Sequence, residues 1–240
     1  MRADFAASAP VSRRCLLARI APLLLAATLC RAQELKTPGE QVCIALARAV
    51  ADGSEEAAVA LLDEVGALYR FPASPEEAQA LLRQASDALR SAHPRIQAAA
   101  VDALGQTGAE QAAALVEPLL RSPKQDAVGY ATLRAAGRIR AALLAPGLLR
   151  VAARTEEPLL AEQALAALGD FCRAPTELRK QVVQKTLDLC DSLSRKRGWE
   201  RLRAPSLRAL QRLLGRRMNS VDQFADWWRA YRGEKEPFGP

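Results

Sequence analysis

Ala103-Leu104-Gly105, Ala135-Ala136-Gly137 and Ala167-Leu168-Gly169 are three copies of one tripeptide pattern, with the glycines at equal steps along the chain. An aliphatic residue recurs nine places before each glycine, at Ile96, Val128 and Leu160, and four places before it, at Val101, Leu133 and Leu165. Five positions aligned over three copies define an internal repeat. A period of roughly 30 residues belongs to solenoids, in which each helical hairpin buries its apolar faces against its neighbours.

Helical periodicity extends beyond the repeat. Ala58, Leu61, Leu62, Val65, Leu68 and Tyr69 fall on one face of a helix, and Ala78, Leu81, Leu82, Ala85, Ala88 and Leu89 repeat that spacing. Helix starts are marked by Ser74-Pro75 with Glu77, by Thr107 with Glu110 and by Ser220 with Gln223. No alternating run of β-branched residues is long enough to form a strand. Aromatics are only 5% of the chain, and Ala and Leu supply most of its apolar half. That balance favours helices in close contact through small side chains, so the predicted fold is all-α.

The repeat unit resembles a short bacterial HEAT repeat: a first helix rich in small residues and ending near glycine, a tight turn, and a second helix with a Leu-rich segment such as Val116, Leu119 and Leu120. Pro118 and Pro146, expected inside second helices, are also in keeping with that family. The resemblance implies a right-handed α-solenoid of antiparallel hairpins, clearest from His93 to Phe171. It divides the chain into an N-terminal helical segment over 33–92 (a divergent repeat and a cap), repeats over 93–198, and a last repeat with an aromatic cap over 199–240. The last unit is expected to open near Trp199 and to end on Leu210, Leu213, Leu214 and Gly215, well over one period after Gly169. The extra length is assigned to a long second helix from Thr176 to Leu193 and a basic connector at Arg195, Lys196 and Arg197.

Residues 1–32 read as an export signal: a basic stretch ending at Arg13 and Arg14, an apolar run from Ile20 to Leu29, and small residues at Cys30 and Ala32 that suit cleavage before Gln33. Ser12 to Leu17 also resemble a twin-arginine signal, with Leu16 where that motif prefers Phe. An apolar run of about ten residues is too short to span a bilayer. The expectation is a periplasmic or extracellular mature chain without a transmembrane span.

The signal changes the charge argument. Residues 1–32 carry a net +4, residues 33–170 a net −5 and residues 171–240 a net +8, which together give the formal +7. The basic C-terminal end could meet an acidic partner or surface, although pairs such as Asp191 and Arg195 at helical spacing absorb part of that charge.

Catalytic chemistry is sparse. His93 is the one histidine of the sequence and precedes Pro94 at a helix start, where it closes a turn. Cys43, Cys172 and Cys190 follow the signal without CxxC spacing and fall on apolar stripes, which predicts buried free thiols. A Cys172–Cys190 disulfide is disfavoured because Cys190 lies about 20 Å along a helix from the turn that carries Cys172. The doublets Glu55-Glu56, Glu76-Glu77 and Glu156-Glu157 sit at helix starts, where the helix dipole favours carboxylates. No phosphate-binding, nucleophile-elbow or HExxH motif is present. No catalytic residue, metal or cofactor is therefore expected.

Phe224, Trp227, Trp228 and Tyr231 place aromatics one and two turns apart on the last helix. They read as a cap over the terminal repeat; the competing reading has one Trp, flanked by Arg229 and Arg232, stack on a ligand or base. The resemblance implies a non-catalytic scaffold whose second helices line a concave, protein-binding surface. Arg179, Lys180 and Lys185 on the long second helix are its expected contacts. The alternative is a HEAT-like enzyme such as an alkylpurine DNA glycosylase or a phycobilin lyase. The export signal opposes both, and nucleic acid is not an expected partner.

Overall fold

The computed structural model describes residues 36–195, 199–234 and 237–238. The signal at 1–32 and the connector residues Lys196 and Arg197 lie outside the described residues. Among the described residues the chain forms eleven α-helices and no strand. They are α1 (Pro38–Ala51), α2 (Glu55–Leu68), α3 (Pro75–Ala88), α4 (Pro94–Thr107), α5 (Glu110–Val116), α6 (Ala127–Ile139), α7 (Ala145–Arg154), α8 (Pro158–Gly169), α9 (Thr176–Ser194), α10 (Trp199–Leu214) and α11 (Val221–Tyr231). Two 3₁₀ turns, Glu117–Arg121 and Asp170–Arg173, extend α5 and α8.

The even-numbered helices stack in sequence order: α2 on α4, α4 on α6, α6 on α8 and α8 on α10. A second layer lies against them, in which α1 packs on α3, the Glu117–Arg121 turn on α7, α7 on α9, and α9 on α11. This is an all-α repeat solenoid. The repeat residues explain why it stacks. Ile96, Val101, Leu104, Leu133, Leu165 and Leu168 are fully buried, so each hairpin gains its core only by covering the next.

The glycines of the repeat set the spacing. A Cβ added to Gly105 would stand 2.6 Å from the Ala135 Cα, one on Gly137 2.9 Å from the Ala167 Cα, and one on Gly169 3.3 Å from the Ala209 Cα. A glycine inside a helix costs about 1 kcal/mol relative to alanine. Here that cost is offset by backbones approaching closely enough to bury the neighbouring aliphatic side chains without voids.

Local signals at the helix ends are mixed. The Ser74 hydroxyl accepts from the Glu77 N–H at 3.1 Å, and the Ser220 hydroxyl from the Gln223 N–H at 3.2 Å, as a capping box requires. The Glu77 carboxylate reaches further than a box partner. It accepts from the Ala73 N–H and, at 2.9 Å, from the buried Gly39 N–H in the first turn of α1, so one side chain fastens two second-layer helices. Thr107 does not begin a helix. It closes α4, donating to the Leu104 carbonyl at 2.7 Å and accepting from the Ala109 N–H at 3.1 Å. The left-handed Gly108 then turns the chain, and α5 starts at Glu110.

Two further expectations are corrected. Pro146 does not bend a second helix from within: it lies in the first turn of α7, whereas Pro118 stands inside a continuous second helix, where α5 gives way to the 3₁₀ turn Glu117–Arg121. A missing N–H is harmless in a first turn, as at Pro146, and disturbs a helix interior, as where α5 tightens into a 3₁₀ turn at Pro118. Pro205, buried in α10, also lies inside a helix. The register of the last unit also shifts. In the regular repeats the alanine that meets a glycine stands two places before the next repeat glycine, and Gly169 packs against Ala209. The residue equivalent to the repeat glycine is therefore Gln211, with Leu202 and Leu207 in the aliphatic positions. Gly215 has φ +66° and is the left-handed residue that ends α10. The long second helix is borne out as Thr176–Ser194.

Because the close approach is backbone against backbone, Gly105→Val is expected to lower stability by about 3 kcal/mol. Urea unfolding of the variant beside the parent chain checks it; an unchanged midpoint would mean that α4 and α6 do not meet at this glycine.

Candidate functional site

The structure does not bring Arg179, Lys180 and Lys185 together. At about 100° per residue they point to three different sides of α9. Arg179 is half-buried: its Nε donates to the Leu213 carbonyl at 2.5 Å, and its guanidinium lies 3.7 Å from the centre of the Phe238 ring. Burial pushes its pKa down against the opposing pull of Cys172. Lys180 pairs with Glu177 at 3.3 Å and its side chain is only 18% exposed. Lys185 is exposed. The fold thus commits the first residue, covers the second and leaves the third open.

The aromatic end is similarly engaged. Trp228 is 3% exposed and its Nε1 donates to the Gln184 side chain on α9 at 2.9 Å. Its ring stacks on Phe238, with centroids 6.1 Å apart. Trp227 is half-buried, stacks on Tyr231 at 5.1 Å and carries the Arg216 guanidinium 4.7 Å from its ring centre.

His93 stands at the N-cap of α4 and its Nδ1 lies 3.0 Å from a Glu55 carboxylate oxygen; Arg95 reaches both Glu55 and Glu56. The first-turn doublet of α2 is thereby tied to the next first-layer helix. The three thiols are unpaired in the structure: Cys43 and Cys190 are buried, but Cys172 lies in the 3₁₀ turn and is half-buried, short of the expected burial. Desolvation pushes Cys190 up to about 11. Burial, aided by Glu77 and Glu40, also raises Cys43. Among the described residues no group of three His, Cys, Asp or Glu is placed to hold a metal ion.

The feature that stands apart is a cleft at the turn edge of the stack, where α6, α8 and α10 end. It has a volume of about 500 Å³ and is lined by Arg138, Arg140, Arg173 and Arg212 beside Asp170 and Cys172. Arg138 and Arg212 have partners: Arg138 lies 3.6 Å from Asp102, which also holds Arg134 at 2.6 Å, and Arg212 pairs with Asp170. Arg140 and Arg173 have no carboxylate partner among the described residues.

Arg140 has an unusual backbone. It caps α6 at φ +56° and ψ +25°, the one non-glycine residue with positive φ among the described residues. One period earlier the same place is held by Gly108 at φ +64°. A side chain in this region costs about 1 kcal/mol that glycine does not incur.

Sequence reasoning missed this cleft, although one signal was available. Arg140 and Gly108 both lie three residues after a repeat glycine. Aligning the turns as well as the helices exposes an arginine in a glycine position. Arg173 and Arg212 gave no comparable signal, because only folding brings three helix ends together.

No protein-family model matches the chain, and no curated protein matches it.

Arg140→Gly is expected to raise stability by about 0.5–1 kcal/mol, because the turn keeps its shape and loses its strain. Thermal and urea unfolding of the variant check it, and a destabilised variant would contradict the turn geometry. Thiol labelling at mildly alkaline pH is expected to modify Cys172 first in the native protein, with Cys43 and Cys190 reacting after unfolding. A raised thiol pKa keeps the reactive thiolate scarce until pH exceeds it, and burial blocks access besides. Peptide mapping of the labelled protein reads the order; labelling of Cys190 before Cys172 would contradict it.

Proposed function

We propose that this chain is an exported, non-catalytic scaffold of HEAT-like repeats that binds another protein. The observation that carries the reading is the repeat stack itself. Gly105, Gly137 and Gly169 seat successive hairpins on one another, and such a stack yields an extended surface from local contacts alone. Its titratable groups support the reading through their structural use: His93 holds Glu55, Glu77 fastens α1 to α3, and Cys190 is buried. Export rests on the three-part pattern of residues 1–32. Among the described residues no helix is long and apolar enough to cross a membrane.

Affinity capture of a C-terminally tagged copy from the native host's envelope fraction tests both parts of the proposal, with mass spectrometry of the mature N-terminus and of co-purifying proteins. The expected result is a chain starting at Gln33 with one protein in near-stoichiometric amount. An uncleaved chain in the cytoplasm, or a chain recovered with nucleic acid or pigment proteins, would overturn it.

A further inference from the structure

Arginine at position 140 is costly for the fold and is not required by it. The equivalent turn after α4 uses Gly108 and closes in the same left-handed conformation. A cation at a helix C-terminus interacts favourably with the dipole. Arg138 already supplies that charge in the last turn of α6, so the dipole does not account for Arg140. Strain of this kind persists where the surrounding structure imposes it and a use maintains it. The use is indicated by what lines the cleft with Arg140: Arg173 from the turn after α8, together with Arg138, Arg212 and Asp170, the one carboxylate of the lining.

We infer that this cleft is an anion-binding site that takes a carboxylate-rich segment of the protein partner, read by Arg140 and Arg173. The inference rests on the scaffold reading and names the chemistry of its partner. Guanidinium groups present planar forks that match carboxylates two hydrogen bonds at a time. Two such forks in a cleft of about 500 Å³ suit a pair of acidic side chains on a short extended segment. Arg138 and Arg212, each tied to an aspartate, define the walls rather than the reading groups. A nucleic-acid duplex is the poorer match. Its binding needs a row of cations along many phosphates, whereas two of the four arginines lining this cleft are bound to carboxylates of the fold.

The test is fluorescence anisotropy with the full chain and two labelled peptides, one a short run of Glu and Asp, the other the same run as Gln and Asn. The acidic peptide is expected to bind and to weaken as salt shortens the screening length from about 14 Å to about 4 Å; the amide peptide is expected not to bind. Arg140→Gly is expected to weaken acidic-peptide binding at least about tenfold while its melting temperature rises, which separates lost recognition from lost folding. Arg173→Gln is expected to do the same to binding. Arg90→Gln, an exposed change at the end of α3, is expected to leave binding unchanged. Equal affinity of the parent and Arg140→Gly chains for the acidic peptide would overturn the inference, as would no binding by the parent. So would tighter, Arg140-dependent binding of a DNA duplex. Inorganic phosphate is expected to compete only weakly; displacement by phosphate at concentrations as low as the acidic peptide's would assign the cleft to free phosphate instead. The two levels separate in the capture experiment. A partner retained equally by the Arg140→Gly chain refutes the cleft and leaves the scaffold standing, whereas a parent chain that captures no protein refutes the scaffold.

Discussion

At Gly105, Gly137 and Gly169 the backbone of one first-layer helix lies directly on the Cα of Ala135, Ala167 or Ala209 in the next. The rest of the structure depends on that contact. It sets the separation at which Ile96, Val101, Leu133 and Leu165 are completely buried, and it fixes where each helix ends relative to its neighbour. Larger residues at these positions would separate the helices and open the core between them. Because the same contact recurs along the stack, the ends of α6, α8 and α10 fall at one edge, and the arginines in and just after their last turns line one cleft there.

Electrostatics follows the packing. Asp102 holds Arg134 and Arg138, Glu162 holds Arg208, and Asp170 holds Arg212, so these carboxylates each link one first-layer helix to the next. Pairs this exposed contribute little stability individually. Their larger consequence is selective: they neutralise Arg134, Arg138, Arg208 and Arg212. Arg208 and Arg212 meet carboxylates that precede residue 171, so the formal net +8 of residues 171–240 overstates the positive charge left free there. What remains uncommitted in the arginine cleft is Arg140 and Arg173, and Arg140 is kept at a cost in backbone strain.

The repeat period, the long α9 and the all-α class are legible in the sequence because helical spacing and glycine recurrence are local patterns that packing then uses directly. The last unit is harder to read for a physical reason: Gly215 resembles the repeat glycine, but its task is a left-handed turn, while the close approach to Gly169 is made by Ala209. Leu202 and Leu207, at the aliphatic positions before Gln211, carry the correct register. Pro146 misleads because a helix start and a helix bend carry the same residue. The candidate site is least legible. Arg179 stands on the long helix with no local partner in the sequence, yet the fold engages it with the Leu213 carbonyl and the Phe238 ring, groups far along the chain.

Hydrogen exchange of the native protein, read peptide by peptide, tests most directly whether the glycine contacts carry the fold. In a stack held by nearest-neighbour contacts, local opening is easiest at the ends and hardest where a helix is covered on both sides. The account requires α4, α6 and α8 to be the slowest-exchanging helices, with protection falling toward α1 and α11. Faster exchange in α6 than in α1 and α11 would contradict it, since the backbone at Gly105 and Gly137 would then not be the contact on which the stack depends.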